Sequence, residues 1–231
     1  MNDSAGSGSV TGQKILFAAD NHYDTHAGRV LYDCIKDDYD IEFHEDEWSC
    51  FEQGDLASEY SLIALNMISG ACDVPEPRVE AEANLREYVE AGAPVLLLHG
   101  GSAAFWQWDW WRALVGLRWV RGDDADGFEA STHPREPYVV RVAKCRHPLC
   151  GLLQEVSMEE DEIYTDLEQT CATVTLMETT INKGTFPMCY EAVTEWGGKV
   201  VGYIPGHDAE MVRLAGNVAN CRSIIDYLLA V

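Results

Sequence analysis

Residues 94–114 read "PVLLLHGGSAAFWQWDWWRAL". An apolar run of strand length ends in His99, Gly100 and Gly101 make a turn, and a tryptophan-rich segment follows. A strand that runs through a glycine turn into a helix is the unit from which parallel sheets are built. In an open parallel sheet, ligands bind beyond the carboxyl ends of the strands, and His99 stands at such an end. Read alone, His99 is equally a core histidine bonded to backbone.

Working outward, the same alternation repeats. "KILFAAD" (14–20) reads as a strand, and "DTHAGRVLYDCIKDD" (24–38) spaces Val30, Leu31, Cys34 and Ile35 as a helix does. "YDIEFHED" (39–46) and "YSLIALNM" (60–67) read as further strands, the second apolar almost throughout, as a strand buried on both faces should be. In "VPEPRVEAEANLREYVEAG" (74–92), Pro75 and Pro77 open a helix, Val79, Leu85 and Val89 form its stripe, and Gly92 ends it. A helix is expected over "AAFWQWDWWRALVG" (103–116). This order predicts right-handed crossovers and a mostly parallel sheet.

Beyond Gly116 the pattern changes. Strands are expected at 138–144, 171–180, 188–196 and 199–206 with no long helix between them, and "EWGGK" suits a hairpin turn. The last segment places Met211, Leu214, Val218, Cys221, Ile225 and Leu228 on one face of a closing amphipathic helix. The expected organisation is one α/β domain over 14–231, with a β-rich C-terminal half, behind a flexible lead-in at 1–13.

The 231 residues carry 16 basic and 39 acidic side chains, a net charge of −23. That balance argues against binding nucleic acid or an anionic membrane. With 47% hydrophobic residues the chain can bury a sizeable core, and no apolar run approaches the ~20 residues that span a bilayer. "MNDSAGSGSVTGQ" lacks the basic and apolar regions of a signal peptide. A cytoplasmic location follows, and with it eight reduced cysteines. "CRHPLC" brings Cys145, His147 and Cys150 together but has no second pair to complete a zinc site.

The first strand end delivers Asp20, Asn21, His22, Tyr23 and Asp24 to the same rim as His99. Two strand ends that each deliver a His into a crevice make a candidate polar site. Gly100 and Gly101 let backbone approach a ligand or adopt positive φ. The turn resembles a nucleophile elbow, but no Cys sits there and Ser102 has no G-x-S-x-G around it. Trp106, Trp108, Trp110 and Trp111 point around the helix axis and cannot share one core. Some line a surface, an oligomer contact or a pocket whose indoles stack on sugar rings.

The chain resembles the trehalose-utilisation (ThuA-like) family, with its class I glutamine amidotransferase-like fold. Four stretches carry the likeness: "DNHYDTHAG"; "LLLHGGSAAFWQWDWWRALVG"; "STHPREPYVVRVAKCRHPLCGLLQEVSMEEDEIY", with two His-Pro pairs before Asp-Glu-x-Tyr; and "EWGGKVVGYIPGHD", a hairpin and strand ending in Gly-His. Together they span nearly the whole chain from Lys14. The resemblance implies a three-layer, flavodoxin-like sheet with helices on both faces. It implies that the amidotransferase Cys–His–Glu machinery is missing, consistent with Gly100 at the elbow. It implies a role in the catabolism of disaccharides such as trehalose or their 3-keto derivatives. Many members carry a Ser where this chain has Gly100-Gly101.

Carried over by residue, the resemblance gives a site of His22, His99, Glu162 and His207, with Asp161, Tyr164 and Asp208 nearby. The expected catalytic groups are His99, Glu162 and His207. The expected substrate contacts are His22, Asp24, Trp106, Trp108 and Tyr164. On local sequence alone Glu162 belongs to a solvated acidic loop, and His207 precedes Asp208, a good cap for the last helix. Inside a pocket, burial would instead prepare Glu162 for acid/base work. His22, His99 and His207 converging would suit a divalent metal, Zn²⁺ or Mn²⁺. His133 and His147 precede prolines and read as turn residues.

The leading expectation is an enzyme cleaving or converting a glycoside by acid/base chemistry. The partner is a small-molecule carbohydrate, with no nucleic acid or membrane, and a homo-oligomer is left open. The alternatives are a non-catalytic protein for sugar binding or assembly, and an amidotransferase-like hydrolase using a thiol.

Overall fold

A computed structural model describes residues 12–68, 76–122 and 126–230. The buried apolar runs become strands: β1 (Lys14–Ala19), β2 (Asp40–Glu45), β3 (Leu62–Asn66) and β4 (Val95–Leu98). They alternate with α1 (Ala27–Ile35), the short α2 (Leu56–Glu59) and α3 (Val79–Glu90). β1 pairs in parallel with both β2 and β3, and β3 with β4. Both faces of β3 and β4 are covered, so Leu62, Ile63, Leu65, Leu96 and Leu97 are almost fully buried. Each such side chain contributes roughly 1.5–3 kcal/mol of burial.

The helix expected over 103–116 is shorter. A 3₁₀ turn occupies His99–Ala103, Phe105 adopts φ 48°, and α4 spans only Asp109–Val115 with Trp108 capping it. The aromatic rings explain the break. Phe105 stacks on Trp108 at 4.1 Å and also meets Trp111, six residues on, edge-on at 4.9 Å, a contact that a continuous helix would pull apart.

The β-rich half extends the same sheet. β5 (Leu117–Arg118) and β8 (Glu168–Gln169) form a small separate pair. β6 (Arg135–Val142), β7 (Val156–Glu162), β9 (Thr173–Ile181), β10 (Gly184–Val193) and β11 (Lys199–Tyr203) complete a nine-stranded order β2-β1-β3-β4-β11-β10-β9-β6-β7. β11 runs parallel to β4, and every pairing beyond it is antiparallel. The sheet is therefore a parallel core with an antiparallel extension, a mixed α/β fold. Two helices follow: α5 (Ala209–Val212), capped by the Asp208 carboxylate accepting from Glu210 N and Met211 N, and α6 (Ala215–Leu229).

Two expectations are corrected. Residues 156–162 are a strand, not an acidic loop. Cys145 and Cys150 are paired as a disulfide, not free thiols. His147 between them caps its own turn, its Nδ1 accepting from Leu149 N. Among the described residues no helix is long and apolar enough to cross a membrane. Pro75 and Cys72 lie outside the described residues, as does the lead-in up to residue 11.

Candidate functional site

Three chain segments deliver imidazoles to one point at the carboxyl rim of the parallel core. His22 follows β1, His99 follows β4, and His207 follows β11. Each sits on unusual backbone: His22 has φ 48°, His99 has φ 43°, and Gly206, just before His207, has φ 108°. Left-handed non-glycine residues cost energy and gather where a side chain must be aimed. Gly100 serves the same end. A Cβ there would stand 2.9 Å from Ile68 Cγ1 and 3.4 Å from His22 Cε1, so a bare glycine leaves room for the His22 ring.

The rings converge closely. His22 Nε2 lies 3.0 Å and His99 Nε2 3.2 Å from His207 Nδ1. The far nitrogen of His99, Nδ1, donates to the Ile204 carbonyl at 2.7 Å, which leaves Nε2 of the neutral ring with its lone pair facing the centre. Three donors hold Asp161 beneath them: Tyr138 OH at 2.9 Å, Gly206 N at 2.8 Å and His207 N at 2.9 Å. Asp161 thus positions the His207 turn.

Glu162 closes the cluster. Its Oε2 is 3.4 Å from His99 Nε2 and 3.3 Å from His207 Nδ1, and its Oε1 is 3.1 Å from His133 Nδ1. The β6–β7 register explains why two successive acids, Glu159 and Glu160, both turn outward and bring Asp161 back to the inner face. Glu136 pairs with Asp161 but Tyr138 with Met158, so β7 carries one extra residue. Such a bulge re-aims side chains. Glu159 and Glu160 stay in solvent while Asp161 and Glu162 are buried.

Burial sets the charges. It would raise the Glu162 carboxyl, but His207 and His99 outweigh it and hold it well below the usual carboxylate range, so Glu162 is ionised. Burial and then the His99 and His207 rings push His22 down to about 2, leaving it neutral at pH 7. For His99, burial pulls the pKa down, and the carboxylates of Glu162 and Asp161 more than reverse it. Burial pushes Asp20 up to about 6, against the N–H groups of Ile68 and His22 that it accepts.

Above the cluster opens a cavity of about 520 Å³, lined by His22, Tyr23, Ile68, Ala103, Trp119, Arg121, His133, Glu162, Tyr164 and His207. A disaccharide fits a space of that order. His99 lies just beneath, its ring 4.8 Å from Tyr164. Trp119 packs between Tyr164, at 4.6 Å, and His133, at 5.5 Å.

The structure thus brings His22, His99, Glu162, His207 and Tyr164 together. Asp24 is exposed and does not line the cavity. Neither do Trp106 and Trp108. Trp108 is buried against Phe105 and edges a separate open groove with Trp110. Trp106 lies under the guanidinium groups of Arg118 and Arg121, at 4.9 and 5.3 Å. The indole at the site is Trp119. His133, read as a turn residue, is a second group the sequence hid. Both stand in the irregular segment around β5, where no periodicity marks a face. The His-Pro pair at His133 was the available signal.

The model of the family described as "ThuA: Trehalose utilisation" matches residues 14–218. The fold is similar to a solved ThuA-like protein from Parabacteroides merdae, with TM-score 0.75, 16% identity, and coverage of 94% of this chain and 89% of that one. A ThuA-like protein from Bacteroides uniformis aligns with TM-score 0.66 and 14% identity over 94% of this chain and 91% of its own. A putative GMP synthase protein from Thermoplasma acidophilum aligns at TM-score 0.47 and 13% identity, over 95% of both chains. No curated protein matches.

Proposed function

Because the chain belongs to the ThuA family of trehalose utilisation, we propose that it is an enzyme of carbohydrate metabolism that cleaves or converts a disaccharide or keto-sugar by proton transfer. One observation carries the reading: the ionised Glu162 carboxylate, wedged between His99, His207 and His133 on the wall of a cavity large enough for two sugar rings.

Glu162, ionised at neutral pH, is the proton acceptor, and its depressed pKa makes it a weaker base than a free carboxylate. His133 is exposed and touches the other oxygen of the carboxylate, so it connects Glu162 to solvent. His99 and His207 hold the Glu162 carboxylate in place, with Asp161 and the Ile204 carbonyl fixing the orientation of the two rings. Trp119 and Tyr164 offer ring faces to the sugar. A positioned acid/base group is worth about 10²–10⁴ in rate.

Thiol chemistry finds no support. Among the described residues no cysteine lines the cavity, and burial raises the thiols of Cys50, Cys189 and Cys221. The elbow position is held by Gly100, which also leaves a non-catalytic sugar-binding protein as the rival reading. Product analysis of a disaccharide panel, including trehalose and its 3-keto form, separates the two. Turnover supports an enzyme; calorimetric binding with no product supports the binding protein.

A further inference from the structure

We infer that His22, His99 and His207 form a binding site for one divalent transition-metal ion, with Zn²⁺ favoured by the imidazole donor set. The inference refines the site proposed above but does not require the sugar chemistry to be right.

The three histidines come from three separate segments, and each offers one ring nitrogen within 4.8 Å of the other two. The two separations involving His207, 3.0 and 3.2 Å, match a common metal. Metal–nitrogen bonds of about 2.0–2.1 Å place neighbouring ligands roughly 2.9 Å apart in octahedral and 3.3 Å apart in tetrahedral geometry.

Proton bookkeeping points the same way. The His99 Nδ1–H is spent on Ile204, so its Nε2 presents a lone pair in the neutral ring. At most one hydrogen can stand on His207 Nδ1, which faces His22 Nε2, His99 Nε2 and Glu162 Oε2, so it can serve only one of them. A cation at the centre accepts all three nitrogen lone pairs at once.

The surroundings supply what a ligated histidine needs. The buried Nδ1 of His22 has no hydrogen-bond partner, and Asp20 Oδ1 stands 3.8 Å away. Asp20 is itself held by two backbone N–H groups, from His22 and Ile68. That is a carboxylate–histidine–metal relay awaiting a small ring adjustment. Glu162 borders the side of the cluster open to the cavity, where a water or a sugar hydroxyl would complete the coordination.

A second group of potential ligands, His44, Glu47 and Cys50, makes a contrast. Both nitrogens of His44 are already engaged, by Glu47 and by Glu42, so no lone pair is stranded there.

The test is Zn²⁺ titration of the full chain, stripped of metal, followed by calorimetry, with Co²⁺ substitution read by visible absorption. The expected result is about one Zn²⁺ per chain and the intense visible bands of low-coordinate, imidazole-ligated Co²⁺. His99→Ala and His207→Gln should weaken Zn²⁺ by more than the ~10–100-fold typical of losing a supporting group such as Asp20. His44→Ala should bind as wild type does. Near-UV circular dichroism identifies any variant that fails to fold, and the wild-type Co²⁺ spectrum stands independently of the variants. No stoichiometric Zn²⁺ in the wild type, or binding lost in His44→Ala and kept in His207→Gln, would overturn the inference. If Zn²⁺ fails to bind while a sugar is still turned over, the metal site is wrong and the acid/base reading survives.

Discussion

Replacing Asp161 with Asn tests the framework under the site, because one buried carboxylate there accepts three hydrogen bonds. Oδ2 takes Tyr138 OH and Gly206 N, and Oδ1 takes His207 N. An amide has one oxygen. Its best orientation keeps the two bonds at Oδ2 and turns its NH₂ toward His207 N, donor against donor. The loss is one hydrogen bond to a charged acceptor, about 1.5–3 kcal/mol, plus an unpaired buried donor at about 1–3 kcal/mol. A net destabilisation of about 3 kcal/mol is expected. For a chain of this length each kcal/mol moves the melting point by about 2–4 °C, so Tm should fall by roughly 6–12 °C. Thermal unfolding followed by circular dichroism reads this directly. Tyr138→Phe should cost about 1 kcal/mol alone and show coupling in the double variant, since both act on Oδ2. A drop of under ~2 °C for Asp161→Asn, with no coupling to Tyr138, would show that the carboxylate does not hold the His207 turn.

Three further outcomes follow from the same geometry. Gly100→Ala puts a Cβ 2.9 Å from Ile68 and 3.4 Å from the His22 ring; turnover and metal affinity should fall at least ~10-fold with a Tm loss smaller than that of Asp161→Asn, as enzyme and Zn²⁺ titrations would show. Trp119→Ala should raise KM for the sugar substrate by roughly 1–3 kcal/mol worth of stacking while Trp108→Ala lowers stability instead, a contrast that steady-state kinetics and melting curves resolve. Glu42, far from the site, is held down to about 2 mainly by the Lys14 ammonium, with His44 and Tyr60 assisting. Its folded pKa is depressed, so its stabilisation is present above pH 4.5 and is lost as pH falls from there toward 2. Partial exposure keeps the effect below the full linkage value, and Glu42→Gln should flatten that acid limb in a pH series of urea melts.

The parallel core was readable because strands buried on both faces are apolar in nearly every position, as in "SLIALNM" and "PVLLLH". The strand ends named His22 and His99, and the likeness to a family added Glu162 and His207. What stayed hidden has physical causes. β7 reads "VSMEEDE", and its bulge breaks the alternation that marks a half-buried strand, so the carrier of Asp161 and Glu162 looked like a loop. The tryptophans at 106 and 108 looked like a sugar platform because they cluster in sequence. Indoles so close together pack on Phe105 and under arginines instead, while the solitary Trp119 faces the cavity. The disulfide was missed because nothing in an irregular set of eight cysteines singles out one pair five residues apart.

The central claim is that these gathered side chains perform proton transfer on a sugar. The direct measurement is kcat/KM of Glu162→Gln beside wild type, on whichever disaccharide or keto-disaccharide the wild type turns over. The account predicts a fall of at least ~100-fold with the fold intact, since the amide cannot take up a proton. Activity within about threefold of wild type would contradict it, because a carboxylate that can be neutralised without effect is not the base.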